Sequence, residues 1–548
     1  MVQPFVLMTF IKKYFTLIFL ALFAVAAGIL TYASREMLCY GSDGMQMVII
    51  AKKYATGNFA GAINAYWSPL MSWFIALLSL FGLDGILAFK IVRILGAILG
   101  LYVFEKLLKN FKVGFSVKVI CMLLCAIAFS YYLLQEEPDL WVVTLTITYL
   151  YFLLNKKFVV SKKQGILVGV VGAISYFAKA YGFPFFVSNF LLTGLLFLLI
   201  YRKQIEKRKV ILTNLALGFL SFMLLSGIWV GIISTKYNQL IISSSSIYNN
   251  KVLTPKFTGV DEISNTFNLP TFSTLLFEKP HETGALSSWE EPYFTVINEP
   301  NPKRLADKES RNYLVKNMVR NAKSFYYDFP LKYNLIALFF IGILSFLVGA
   351  KYSKWDKFLV VVLGLTFINY AGGYMLLLVQ ERYLWVNNML IFIIMAILLK
   401  GIVKGSRFVK LLPAVVISLG LLLVGINSRN YIGHRMNWCF DVCSHSGMFS
   451  FIEQTEELSV EGRYVSYGSQ RPGETRQFYI WSYKTDMPYY GGASEMYPVS
   501  QIKTELKQYN IDYLFHDKKY ELPVELENVL QLDYKDPNGF MDIYKVKS

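Results

Sequence analysis

Eleven apolar runs dominate the chain, near 14–32, 84–105, 116–135, 140–155, 165–181, 183–201, 210–233, 331–350, 357–378, 384–402 and 408–427. Runs of this length suit a hydrocarbon layer about 30 Å thick. Inside such a layer the backbone must satisfy its own hydrogen bonds, and continuous apolar runs without alternation do so as helices. With 55% hydrophobic residues and a mean hydropathy of +0.43, a soluble globular fold is excluded. The expectation is an all-α polytopic membrane bundle of about eleven transmembrane helices.

The net charge of +17 is distributed between these runs rather than along one face. Lys106, Lys109, Lys112 and Lys118 share one gap, Lys156, Lys157, Lys162 and Lys163 another, and Arg202, Lys203, Lys207, Arg208 and Lys209 a third. Lys351, Lys354 and Lys357, then Lys400, Lys404, Arg407 and Lys410, fill two more. Basic clusters at every second loop follow the positive-inside rule, so the charge is topological and no nucleic acid partner is expected. Lys12 and Lys13 precede the first run, which is long and is followed by no clear A-x-A site of a cleaved leader, so it is read as the first transmembrane helix.

One stretch has to be decided by this alternation. Residues 66–83 are apolar, but counting them as a span would put the Lys106–Lys118 cluster outside. They are read instead as a helix lying in or dipping into the outer leaflet, flanked by Trp67 and Trp73, with a second amphipathic segment at 44–56 carrying Lys52 and Lys53 on its polar side. The outer side then receives 33–83, tight turns at Gln135–Asp139, Tyr181–Pro184 and Gln380–Tyr383, a long loop at 234–330, and the tail. The tail predicts strands at Arg463–Tyr467 and Ile511–Phe515, a helix over Val499–Tyr509, and a hairpin of Val529–Tyr534 with Phe540–Val546. Residues 1–427 thus form the transmembrane domain, and 428–548 a small extracytoplasmic α/β domain.

Candidate chemistry gathers on that outer side. Asp43 stands in the first outer loop, and Glu136, Glu137 and Asp139 in the second. A carboxylate in a dry site can deprotonate an attacking alcohol or amine, and a second can orient the acceptor or a metal ion; the competing reading is solvated loop acids. Lys179 and Arg382, the latter followed by Tyr383, stand where the positive-inside rule disfavours cations, and suit a phosphate; snorkelling or an Arg382–Glu381 pair is the alternative. Phosphate-binding glycine loops, H-E-x-x-H and G-x-S-x-G are absent from the sequence, which disfavours a soluble nucleotide donor. Within the spans ionisable residues are few beyond Lys90 and Arg93, against an ion-coupled transporter. His281, Glu290 and Glu291 in the long loop are candidates for acceptor contact. His434, Cys439, Asp441, Cys443 and His445 match no zinc spacing, and Cys39, Cys439 and Cys443 are candidates for a disulfide.

The order of these features resembles the membrane-embedded GT-C glycosyltransferases, of the kind that includes protein O-mannosyltransferases and the lipid A aminoarabinose transferase. The matching residues run from Asp43 through Lys-Tyr-Ala-Thr-Gly57, Tyr66-Trp-Ser-Pro-Leu70, Phe81-Gly82 and Ala88-Phe-Lys-Ile-Val-Arg93 to Pro138-Asp139, Ala178-Lys179 with Pro184, and Glu381-Arg382-Tyr383. The resemblance covers about the first 230 residues well, 357–400 moderately, and the rest only in layout.

What it implies is a sugar donor linked to a polyprenyl phosphate, with membrane lipids around it and a lipid, glycan or protein as acceptor. By that resemblance Asp43 deprotonates the acceptor, Asp139 assists, and Lys179, Arg382 and Tyr383 hold the carrier phosphate, supported by Glu136, Glu137 and Arg93. The anomeric centre inverts in one displacement. Many relatives carry a second acid after the first, and Gly44 stands there in this chain, so a divalent cation is left open and no cofactor is fixed. The implied setting is the cytoplasmic membrane, with site and tail on the extracytoplasmic side. Rival readings are a lipid or polysaccharide flippase, and an oligosaccharide ligase or polymerase using a diphosphate carrier.

Overall fold

The computed structural model describes residues 4–33, 42–135, 137–245, 248, 277, 279–280, 284–292, 308–327, 329–405, 425–426, 429, 451–452, 455, 461–468, 476–495, 497–537, 539 and 541–547. Its helices are, in order, α1 (Pro4–Ala33), α2 (Ser42–Ala55), α3 (Phe59–Ala62), α4 (Leu70–Ser79), α5 (Gly85–Asn110), α6 (Phe115–Leu134), α7 (Asp139–Leu153), α8 (Lys163–Ala178), α9 (Gly182–Ile200) and α10 (Ile205–Lys236). Long helices follow at Lys308–Tyr327, Phe329–Leu347, Lys354–Met375 and Trp385–Gly405. The chain divides into two compact units, one of Met1–Ala33, Lys90–Gly231 and Arg304–Trp438, the other of Ser34–Phe89, Ile232–Lys303 and Cys439–Ser548.

The first unit is the helix bundle. Among the described residues seven helices are long and apolar enough to cross a membrane. Leu17, Leu22, Val25 and Ile29 of α1 are exposed, as lipid-facing side chains are where the solvent is hydrocarbon. Three of the expected spans are shorter: α7 has 15 residues and α8 has 16, about 22–24 Å of helix, and the run expected at 331–350 gives the apolar helix Leu331–Leu347. Most side chains of α7 are buried. A short helix lined by protein leaves no backbone in lipid, so it can lie at membrane depth without crossing alone. Packing of α8 on α10 depends on small residues: a Cβ on Gly165 would come within 2.3 Å of the Asn214 carbonyl, and one on Gly169 within 2.1 Å of the Gly218 carbonyl. The run at 408–427 lies almost wholly outside the described residues.

The two ends of this unit differ in charge. At one end Lys400 donates to the Phe111 carbonyl at 2.7 Å and pairs with Asp356, while Lys118 and Lys109 share the buried Glu105 at 3.0 and 2.8 Å. That end carries the basic clusters. At the other, α6, α8 and Lys354–Met375 finish while α7, α9 and Trp385–Gly405 begin.

The second unit joins the first loop, part of the long loop and the tail. Its sheet has the order β2-β1-β3-β5-β4, with β1 (Tyr464–Tyr467), β2 (Tyr489–Ala493) and β3 (Tyr513–Asp517) parallel and β4 (Leu530–Lys535) and β5 (Met541–Val546) antiparallel. The parallel strands are linked through helices Arg476–Thr485 and Val499–Gln508. Strand β2 and helix Arg476–Thr485 go beyond the sequence expectation. Gly491 and Gly492 interrupt any alternation in β2, and a Cβ on Gly492 would meet the Ser466 hydroxyl at 2.8 Å.

Helix α4 is ten residues long, about 15 Å and half the hydrocarbon thickness. The segment at 44–56 departs from a surface-lying amphipathic helix. Met45 to Ala51 are buried, Lys53 is buried against Glu290, and Lys52 reaches the Tyr483 carbonyl at 3.0 Å and Asp486 at 2.7 Å. Its polar side is covered by partners hundreds of residues away, which no local pattern reports.

Candidate functional site

The first unit builds one acid–cation cluster from helix ends. Pro138 caps α7, so Asp139 enters its first turn, where the positive end of the helix dipole favours a carboxylate. Lys179 is the C-cap of α8, in extended backbone conformation, where the negative end favours a cation. Because α7 and α8 are antiparallel neighbours, the two meet: Lys179 donates to Asp139 Oδ1. Arg382 lies in a short 3-10 turn, Glu381–Leu384, that leads into Trp385–Gly405. Its Nη1 donates to Glu137, its Nε to Gln380 Oε1 at 2.9 Å, and Nε stands 3.9 Å from Asp139 Oδ2.

An aromatic floor completes the cluster. The Lys179 ammonium lies 3.9 Å from the centroid of Tyr383, and the Arg382 guanidinium 5.3 Å from it. Tyr383 stacks on Tyr374 with centroids 4.6 Å apart, and Tyr374 meets Tyr181 at 4.0 Å. Cations over such rings gain about 0.5–2 kcal/mol each. Tyr131 donates its hydroxyl to Glu381, next to Arg382. The Asp139 side chain is 3% exposed, and its Oδ2 has no hydrogen-bond partner among the described residues. A buried carboxylate oxygen left so is uncommon enough to require a reason.

Of the residues singled out from the sequence, Glu137, Asp139, Lys179, Arg382 and Tyr383 come together here. Glu136 and His281 lie outside the described residues, as do Cys39, His434, Cys439, Asp441, Cys443 and His445. Arg93 is buried and donates to the Leu133 and Tyr132 carbonyls at 2.9 and 2.5 Å, closing the end of α6 ahead of the Gln135–Asp139 turn. The sequence does not single out Tyr131, Tyr374 and Gln380 as site residues; their only signal is position at the ends of apolar runs.

The second unit holds Asp43, half-buried in the first turn of α2. Glu290 and Glu291 are buried in the same unit and engaged as fasteners of the long loop. Glu290 accepts from Lys53 and from the Leu286 amide at 2.8 Å, while Asn64 donates to its carbonyl at 2.7 Å. Glu291 accepts from Tyr237 and from Lys236 at 2.9 Å. Burial pushes the Glu290 carboxyl up from its ordinary value, against the opposing pull of Lys53. Among the described residues no three His, Cys, Asp or Glu side chains gather as metal ligands.

No protein-family profile matches the chain, and no curated protein matches it. Among solved structures, ArnT from Cupriavidus metallidurans bound to undecaprenyl phosphate aligns over 96% of this chain and 97% of that chain, with 12% identity and a TM-score of 0.52. The same protein in its apo state aligns over the same shares at 12% identity, with a TM-score of 0.43. At this identity the likeness speaks for architecture: the chain is a multi-pass membrane protein with the fold of ArnT, the GT-C fold.

Proposed function

We propose that the chain is a membrane glycosyltransferase that moves a sugar from a polyprenyl phosphate to a lipid, glycan or protein acceptor on the outer face of the cytoplasmic membrane. The observation that carries this reading is the cluster at the bundle's less basic end, where Lys179 and Arg382 converge over Tyr383 at the ends of apolar helices. A phosphate needs such cations, and a polyprenyl tail needs apolar helices beside them. The shared fold supports it, since the ArnT structure holds undecaprenyl phosphate.

In this reading the acceptor's oxygen or nitrogen attacks the anomeric carbon of the donor as Asp43 takes its proton. The bond from that carbon to the phosphate oxygen breaks, and the electron pair leaves with the polyprenyl phosphate. Lys179 and Arg382 hold the growing charge on the phosphate, and Asp139 fixes Lys179 for that task. A single displacement inverts the anomeric centre. General-base catalysis contributes about 10²–10⁴-fold. Asp43→Asn therefore lowers donor consumption by about that factor, with polyprenyl phosphate binding retained. The measurement is turnover of purified protein against a panel of polyprenyl-phosphate sugars; full activity in the variant rejects the assignment of Asp43.

A further inference from the structure

We propose that Glu137 is a resident counter-ion that competes with the carrier phosphate for Arg382 and so drives release of the product. This rests on the reading that Lys179 and Arg382 hold that phosphate. A guanidinium grips a phosphate best through two parallel N–H groups along one edge. In this structure Nη1 is given to Glu137 and Nε to Gln380, so each two-donor edge of Arg382 already has one donor engaged. Bidentate capture requires an exchange, and Glu137 is the charged partner to be exchanged.

Charge shows which ligand the exchange disfavours. Lys179 and Arg382 bring two positive charges and their partners Asp139 and Glu137 two negative ones, so the two ion pairs balance at rest. The donor is a phosphodiester with one negative charge. Its product is a phosphomonoester with a charge of about −1.5 to −2 at neutral pH. Two cations without their carboxylates would hold the product more tightly than the donor, and the enzyme would stall after one turnover. A carboxylate that stays beside the phosphate repels the dianion more than the monoanion. Glu137 is placed for this: it stands in the connection between α6 and α7 rather than on a helix, and its side chain is 13% exposed against 3% for Asp139. Asp139 is tied to Lys179 within the first turn of α7.

The test is binding by the purified full chain of two probes, decaprenyl monophosphate and its methyl diester, to wild type, Glu137→Gln, Glu137→Ala, Glu137→Asp and Arg382→Gln. Glu137→Gln is expected to bind the monophosphate about tenfold tighter, and the diester by a smaller factor, because one repelling charge is gone. Glu137→Asp keeps the wild-type preference, and Arg382→Gln loses affinity for both probes. A merely structural role for Glu137 would shift both probes together or neither. Equal or weaker monophosphate binding by Glu137→Gln overturns the proposal, and Glu137→Ala decides if that variant misfolds. Wild-type binding lost in Arg382→Gln but unchanged in Glu137→Gln overturns it while leaving the function standing. Wild type that binds neither probe overturns both.

Discussion

Lysine–carboxylate pairs appear in both units, and they are built on different terms. In the second unit Lys53 and Lys236 meet Glu290 and Glu291 in a closed arrangement, with both Glu290 oxygens engaged and both carboxylates almost wholly out of solvent. In the first unit Lys179 and Arg382 meet Asp139 and Glu137, but the cations keep about a fifth of their surface exposed, one Asp139 oxygen has no hydrogen bond among the described residues, and tyrosine rings lie beneath. Similar residue types thus make a fastener in one place and a receptive cluster in the other. What separates them is satisfaction: a buried pair with both carboxylate oxygens engaged holds structure, whereas a pair with spare capacity can exchange partners.

Removing one cation from each should break the comparison if it is wrong. Lys53→Met leaves Glu290 buried without its ion pair, which costs about 3–5 kcal/mol. The expected result is a clear fall in melting temperature of the detergent-solubilised protein, most of it restored in Lys53→Met/Glu290→Gln. If Lys53→Met melts like wild type, the fastener is no fastener. Arg382→Gln has a smaller effect on stability than Lys53→Met, since Glu137 keeps more exposure than Glu290 and can turn toward water. Its effect falls on binding: losing charge-assisted contacts worth about 1.5–3 kcal/mol weakens decaprenyl phosphate about ten- to hundredfold. An Arg382→Gln protein that melts early yet binds normally would reverse the roles assigned to the two regions.

The receptive cluster was more legible in the sequence than the fastener. Loop parity alone put the turns bearing Asp139, Lys179 and Arg382 on one side, because helices that cross a membrane return every second loop to the same face. Each of these residues also sits at a helix end next to a proline or a short turn, which local pattern reports. By contrast, the Lys53–Glu290 contact spans 237 residues, and nothing near Lys53 distinguishes it from a solvated lysine. The burial of α2 was invisible in part for the same reason: α4 packs beside it, but the rest of its cover comes from Ser288–Glu290 and from helix Arg476–Thr485, itself unrecognised. Tyr131 and Gln380 carry no charge pattern, and the sequence marks them only as span and turn. The helix lengths of α7 and α8 escaped too, since an apolar run gives hydrophobicity and not the residue at which packing ends the helix.

The finest distinction concerns how the fastener responds to acid. Burial raises the Glu290 carboxyl above its ordinary value of 4.5, with the Lys53 charge pulling the other way. A carboxyl raised in the folded state binds its proton more tightly there than in the unfolded chain. Its contribution to stability is therefore complete below 4.5 and is lost as pH rises through the folded value. Glu290→Gln cannot titrate, so wild type should lose stability relative to it as pH increases from 4.5 upward, with a slope of at most about 1.4 kcal/mol per pH unit. Melting curves of both proteins across that range measure the difference. A wild type that gains on the variant with rising pH would mean that Lys53 outweighs desolvation and that the ionised pair stabilises the loop outright. Engagement of both carboxylate oxygens would then suffice to make a buried ion pair stabilising, and the unsatisfied Asp139 oxygen, with the exposed cations and the tyrosine rings beneath them, would set the first unit's cluster apart.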